Sequence, residues 1–113
     1  MDIETIREHC LLKAAVTETF PFGEDTLVFK VSNKMFLLIG LENPTSFNAK
    51  CDPERAQQLR EEFEEVQPGY HMNKTHWNTV FINGRLSDQQ LISLIDHSYE
   101  LVVNSLPKSK RLI

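Results

Sequence analysis

The segment Pro68–Phe81 concentrates side chains that can bind a ligand. It carries two His, two Asn, a Lys and the one Trp of the chain. Lysine attracts phosphate, Asn and His form hydrogen bonds, and an aromatic ring stacks on a base. Such groups, crowded where a loop meets a strand, favour a binding role over a core role. The candidate nucleic-acid-binding residues of this segment are Asn73, Lys74, His76, Trp77 and Asn78.

The same segment also has a structural interpretation. Trp77 would pack into the core, and His71 and Asn73 would satisfy backbone groups of a buried, irregular loop. The sequence alone leaves both interpretations open.

No metal centre is indicated. His71 and His76 are five residues apart, which places them on opposite faces of a strand, and no third ligand accompanies them. The acidic run Glu61–Glu65 spreads around a predicted helix, as expected of a solvated face. We therefore expect neither a metal nor another cofactor.

Catalysis is not indicated either. The carboxylate of Asp52, next to Cys51, would raise the thiol pKa and so oppose nucleophilic activation. Asp96 and His97 are adjacent on a predicted helix and therefore do not face each other. A Gly-rich phosphate loop and a G-x-S-x-G motif are both missing from the sequence. We expect a protein that is not an enzyme.

Length and composition describe one ordinary globular domain. The 113 residues fit a single core, and 41% hydrophobic with 25% charged residues is usual for such a domain. No apolar run approaches the roughly 20 residues that span a bilayer, and the acidic N-terminal segment is unlike a signal peptide. We expect one cytoplasmic domain over 1–113, a monomer, with free thiols at Cys10 and Cys51.

Apolar spacing and turn residues divide the chain into seven elements. Helices are predicted over 2–14, 53–65 and 88–106, and strands over 26–31, 34–41, 46–51 and 75–82. Asp52 caps the second helix, and Ser87 with Gln90 forms a capping box for the third. Between these elements we expect turns at Ser32-Asn33, Asn43-Pro44 and Asn83-Gly84, a loop over 18–25 with room for a short strand, and a mobile tail over 107–113.

The order α-βββ-α-β-α predicts an α+β two-layer sandwich, an antiparallel sheet with the helices on one face. The other face of the sheet is called the open face below. By alternation, the three-strand meander places on it Lys30, Asn48 and Lys50. The fourth strand adds one of two pairs, either His76 with Asn78 or Trp77 with Thr79.

Three blocks of the sequence resemble the MmcQ/YjbR-like family. They are Phe20–Val31, Asn48–Glu54 and Pro68–Val80, and Leu94–Val102 fits as well. The resemblance covers nearly the whole chain in the right order. It implies a CyaY-like (frataxin-like) α+β fold, which agrees with the order derived from the residues. It also implies DNA binding, because the sheet and loops of the family resemble a double wing.

Two main hypotheses about function follow, and metal handling through the acidic helices is a third, disfavoured one. The first is a small binding module for DNA that uses the open face and residues 71–78, with Lys30 and Lys50 as further phosphate contacts. Because the net charge is −4, the basic side chains must then gather on one face. The second is a domain that binds a protein or a small ligand and no nucleic acid.

Overall fold

The computed structural model describes residues 1–42 and 44–111. The helices are α1 Ile3–Leu11, α2 Pro53–Glu62 and α3 Asp88–Ser105, followed by a 3₁₀ turn at Lys108–Lys110. The strands are β1 Val16–Thr19, β2 Thr26–Val31, β3 Lys34–Gly40, β4 Ser46–Lys50, β5 Val66–Pro68 and β6 Trp77–Phe81. They form one antiparallel sheet in the order β1-β2-β3-β4-β6-β5. Within the described ranges, no helix is long and apolar enough to cross a membrane.

The helices pack on one face of this sheet, which confirms the predicted α+β two-layer fold. The main core joins Leu91, Ile95 and Val102 of α3 to Phe29 and Phe47 of the sheet, all of them buried. The apolar face of α3 fills this layer. Both cysteines are buried free thiols, as expected, and burial raises the pKa of Cys10 to about 12.

The sheet has two short edge strands that the predicted order lacks. β1 overlaps the start of the loop predicted over 18–25, where a short strand was allowed for. β5 is formed by residues shortly after α2. α2 ends at Glu62, because Phe63 is already extended at φ −123° and ψ 123°. Val66, which directly follows the predicted helix, pairs with Val80 of β6. Strands of three or four residues are too short to show a sequence period.

The local signals for the two helix caps and for the Ser32-Asn33 turn are confirmed. Asp52 accepts a hydrogen bond from the backbone N of Arg55, and both halves of the capping box of Ser87 and Gln90 form. Ser32 and Asn33 form the predicted tight turn, both at positive φ. In the turn expected at Asn43-Pro44, Asn43 lies outside the described residues.

Residues 107–111, the described part of the segment expected to be a mobile tail, include the 3₁₀ turn. After the 3₁₀ turn, Arg111 donates from Nε to the carbonyl oxygen of Leu106 at 2.6 Å and from Nη2 to that of Asn104 at 2.7 Å. These bonds satisfy free carbonyl groups at the end of α3. Residues 112 and 113, also part of that prediction, lie outside the described residues.

Asp96 and His97 have separate partners, as their neighbouring positions on α3 predicted. Asp96 binds His9 at 2.7 Å and Lys13 at 2.5 Å, both from the first helix and its end. His97 Nε2 instead accepts a hydrogen bond from the backbone N of Asp52 at 3.1 Å. This bond joins α3 to the N-terminal cap of α2 and requires a neutral imidazole.

Acid is therefore expected to weaken the fold through His97. Burial, and then the charge of Arg55, lowers the pKa of His97 below its ordinary 6.5. Since the folded pKa is depressed, the stabilising contribution is complete above pH 6.5 and is lost as the pH falls from there toward the folded pKa. Urea unfolding between pH 7.5 and 5 measures the loss. His97→Gln, which still accepts but does not titrate, should show a smaller pH dependence, and an unchanged slope would contradict this role.

Candidate nucleic-acid interface on the open face

The pairing of β6 with β4 settles which side chains of β6 reach the open face. Trp77 lies opposite Lys50 and Thr79 lies opposite Asn48, so these four side chains share the open face. Asn78 points the other way, toward the helices, and is only 2% exposed. Its predicted role as a nucleic-acid contact is therefore wrong, because α2 covers it.

Asn78 is instead held by Arg60 of α2. The guanidinium donates from Nε to Asn78 Oδ1 at 2.7 Å. Its Nη2 donates to the carbonyl oxygen of Trp77 at 3.2 Å and to that of Lys74. One arginine thus ties α2 to the turn that precedes β6. Nothing in the local sequence pattern pointed to Arg60.

The loop of residues 69–76, called the 69–76 loop below, connects β5 to β6 and lies over the open face. Gly69 N donates to Trp77 O at 2.9 Å, and Tyr70 N donates to Thr79 Oγ1 at 3.0 Å. A Cβ on Gly69 would lie 2.8 Å from Trp77 Cβ, so only glycine allows this close approach. The loop therefore covers part of the face that the sequence predicted to be open.

Asn73 and Lys74 hold the 69–76 loop together. Asn73 Oδ1 accepts from the backbone N of Thr75 at 2.9 Å and of His76 at 3.3 Å. Lys74 Nζ donates to the carbonyl oxygen of Gly69 at 3.1 Å. This agrees with the structural interpretation of Asn73. Lys74 and His76 are both exposed residues at the surface.

Trp77 belongs to a second, smaller apolar cluster on the open face. It is 8% exposed and packs with Val28 and Leu38, and Met35 and Met72 lie against the same cluster. The ring is therefore covered. It fastens the 69–76 loop to the sheet and is not available to stack on a ligand.

Beside this cluster the open face has a pocket of about 460 Å³. It is lined by Phe22, Thr26, Leu38, Gly40, Asn48, Tyr70, His71 and Met72. Phe22 and Tyr70 stand at its rim, 64% and 69% exposed. The rings of Tyr70 and His71 lie 4.0 Å apart between centroids. Exposed aromatic rings around a cleft of this size can hold a planar ligand.

A chain of hydrogen bonds fixes the floor of the pocket. The hydroxyl of Thr79 accepts from Tyr70 N at 3.0 Å and donates to Asn48 Oδ1. The 69–76 loop, β6 and β4 are thereby connected at one point. Asn48, predicted on the open face by alternation, takes its orientation from this chain.

Charge is distributed unevenly along the open face. The end where β2 and β4 finish, called the basic end below, carries Lys30, Lys50, Lys74 and His76. The loops at the opposite end carry Glu24, Asp25 and Glu42. Across the described strands, no side chain on the open face is acidic, since Glu18 faces α1 and binds Arg7 at 2.7 Å. A cationic region therefore lies on this face, although the net charge of the chain is −4.

Comparison with known proteins places this fold in a family. The YjbR family model matches residues 11–101. The chain belongs to the YjbR family. It is 34% identical to YjbR of Escherichia coli K12 over 112 residues, which is 98% of this chain and 95% of the relative. It is 36% identical to YbdF of Escherichia coli O157:H7 over 106 residues, covering 93% and 87%.

Solved structures of related chains have the same fold. The Deinococcus radiodurans protein DR2400, described as a DUF419 domain, superimposes with a TM-score of 0.93 at 36% identity, covering 97% of this chain and 85% of that one. A Pseudomonas syringae protein superimposes with a TM-score of 0.75 at 29% identity, covering 89% and 98%. The family resemblance inferred from the sequence blocks is confirmed.

The blocks that carry the family resemblance meet at the pocket. Phe20–Val31 supplies Phe22, Asn48–Glu54 supplies Asn48, and Pro68–Val80 supplies Tyr70, with other lining residues from the first and third blocks. Segments that are far apart in sequence thus form one concave site. The pocket is therefore the candidate binding site of this YjbR-family domain.

Proposed function

We propose that this YjbR-family domain binds single-stranded nucleic acid on its open face, with one base in the pocket and phosphates along the basic end. The observation that carries the proposal is a pocket rimmed by the exposed rings of Phe22 and Tyr70, on a sheet face that presents Lys30 and Lys50. Aromatic stacking combined with a cationic track is how proteins bind single strands.

The pocket favours a single strand over a duplex. A base must leave its stack to enter a concave site, and an unpaired base does so at lower cost. The two rim rings are free to contact such a base, whereas Trp77 is packed beneath the 69–76 loop. The family resemblance implies DNA binding in general, and our proposal restricts it to unpaired strands.

The charge distribution orients the bound strand. Asn48 lines the pocket, and Lys50 lies two residues further along the same face of β4, a separation of roughly 7 Å. Glu24 and Asp25 repel phosphate at the other end, so the backbone should run from the pocket toward Lys50 and His76.

Removing two lysines tests this arrangement. The double variant Lys30→Ala with Lys50→Ala should bind a labelled single-stranded oligonucleotide more weakly, and its salt slope should fall in magnitude by about 1.4, because each lost phosphate contact accounts for roughly 0.7. Fluorescence anisotropy across a salt series measures both quantities. The control, Lys108→Ala with Lys110→Ala, removes the same charge from the exposed 3₁₀ turn. Equal slopes for the two double variants would contradict the proposal.

A small planar ligand is the second candidate. The pocket volume of about 460 Å³ lies in the range of small-molecule sites, roughly 300–1,000 Å³. Under this alternative a free nucleoside would bind as tightly as an oligonucleotide, with little dependence on salt or on Lys30 and Lys50. A protein partner on the same face would leave both probes unbound.

We further propose that the domain binds without catalysing a reaction. The two thiols are buried, and burial raises the pKa of Cys10 and of Cys51, which suppresses the reactive thiolate. His9 and His97 are engaged with Asp96 and with the Asp52 backbone. These groups serve the packing of the helices and lie on the side of the sheet away from the pocket.

A further inference from the structure

We propose that Asn48 selects the base that enters the pocket by donating a hydrogen bond to an exocyclic oxo oxygen. This inference rests on the proposed function and specifies its ligand: a base that carries a carbonyl group, such as thymine or uracil, in preference to adenine, which has none. Asn48 lies on the floor of the pocket, where the edge of an inserted base would meet it.

The direction of the Asn48 carboxamide is set by its neighbours. Thr79 is buried, and its hydroxyl already accepts from Tyr70 N at 3.0 Å. The hydroxyl proton therefore needs an acceptor, which Asn48 Oδ1 provides. The reversed carboxamide would leave that proton unpaired in a buried place, which is costly. Oδ1 thus faces Thr79, and the Nδ2 amino group is left for the pocket.

The amino group can only donate. The N–H groups of Nδ2 can donate to an oxo oxygen, which accepts through its lone pairs. They cannot form a hydrogen bond with an amino group at the same place, because both groups are donors. The other polar side chains that line the pocket are those of Thr26, Tyr70 and His71. The two hydroxyl groups rotate to suit donor or acceptor, and a neutral imidazole offers one nitrogen of each kind. None of the three sets a fixed preference, and the fixed donor is Asn48.

Base substitution within a constant backbone tests the inference. The probes are short abasic oligonucleotides with one central base: thymine, adenine or difluorotoluene, which copies the shape of thymine without its carbonyl groups. The parent protein should bind the thymine probe about five-fold more tightly than the difluorotoluene probe, the factor expected for one net hydrogen bond.

Two substitutions at Asn48 assign the preference. Asn48→Leu should bind thymine and difluorotoluene probes equally. Asn48→Asp keeps the acceptor for Thr79, so the fold is retained, and should bind the adenine probe more tightly than the thymine probe. Asn104→Leu, on the exposed end of α3, is the matched control and should keep the parental preference.

The outcomes separate the two proposals. If the parent binds all three probes equally, the role of Asn48 is overturned and binding on the open face stands. If the parent prefers thymine and Asn48→Asp keeps that preference, the donor is another group and the inference is likewise overturned. If no probe and no natural single strand binds at low salt, the proposed function itself fails, and the inference with it.

Discussion

Replacing Arg60 by methionine is expected to lower the free energy of unfolding by about 3 kcal/mol. The change keeps the long apolar stem of the side chain and removes every donor. Asn78 Oδ1, enclosed beneath α2, loses its 2.7 Å partner, and the carbonyl oxygen of Lys74 loses the bond from Arg60. The carbonyl oxygen of Trp77 also loses Arg60 but keeps its bond from Gly69 N. A buried acceptor left unpaired costs roughly 1–3 kcal/mol, and bonds from a charged donor are the stronger ones.

Urea unfolding measures this loss, with Arg55→Met as the matched control. Arg55 lies on the same helix, and its guanidinium makes only a long contact of 3.5 Å to Ser93 Oγ. Its replacement should change the free energy of unfolding by about 0.5 kcal/mol or less. Arg60→Lys should recover part of the stability, because one ammonium cannot reach all three acceptors as the planar fork does. If Arg60→Met and Arg55→Met lowered the free energy of unfolding equally, the Arg60 guanidinium would not stabilise the turn before β6.

Features with local signals were predictable from the sequence. The cap at Asp52 and the capping box of Ser87 and Gln90 depend on residues within one turn of each other, and both form as predicted. Alternation along β2 and β4 placed Lys30 and Lys50 on the open face, where the strand pairing has them. In each case the information lies within a few residues.

The phase of β6 was not predictable, because polar residues occupy both of its faces. Trp77 with Thr79 and His76 with Asn78 fit the alternation equally well. The choice is made by tertiary partners: Arg60 binds Asn78 from the helix side, while Trp77 packs against Val28 and Leu38 on the open face. Such contacts leave no trace in the period of the strand itself.

The pocket was not predicted from the sequence either, because its lining residues meet only through tertiary contacts. Sequence reasoning placed the candidate site on Lys30, Lys50 and residues 71–78, because alternation within single strands and the composition of one contiguous segment were the available signals. In the structure Asn73 is used to hold the loop, whereas Phe22, Asn48 and Tyr70 come together from three separate segments. The signal that could have found them was already present, since each of the three family blocks contributes one of these residues to the site.

Filling the pocket should abolish base binding without harming the fold. Gly40 lines the pocket at the end of β3, and a Cβ built there meets no atom within 4 Å. Gly40→Phe therefore places an aromatic ring in the pocket, in the space that we propose a base occupies. Because glycine weakens a strand and phenylalanine favours one, the melting temperature should stay the same or rise. Affinity for a single-stranded oligonucleotide should fall roughly tenfold, which is the loss expected when one stacked base is displaced.

Gly40→Ala is the control for this change, since a methyl group leaves most of the pocket empty and should bind like the parent. The salt dependence separates the two parts of the site. Gly40→Phe should keep the parental salt slope, because the change leaves Lys30 and Lys50 in place. The double lysine variant should keep the pocket and show a salt slope smaller in magnitude by about 1.4. Parental affinity in a stable Gly40→Phe protein would mean that the base lies elsewhere on the face. The basic end would then be the whole of the interface, and Asn48 could not choose among bases.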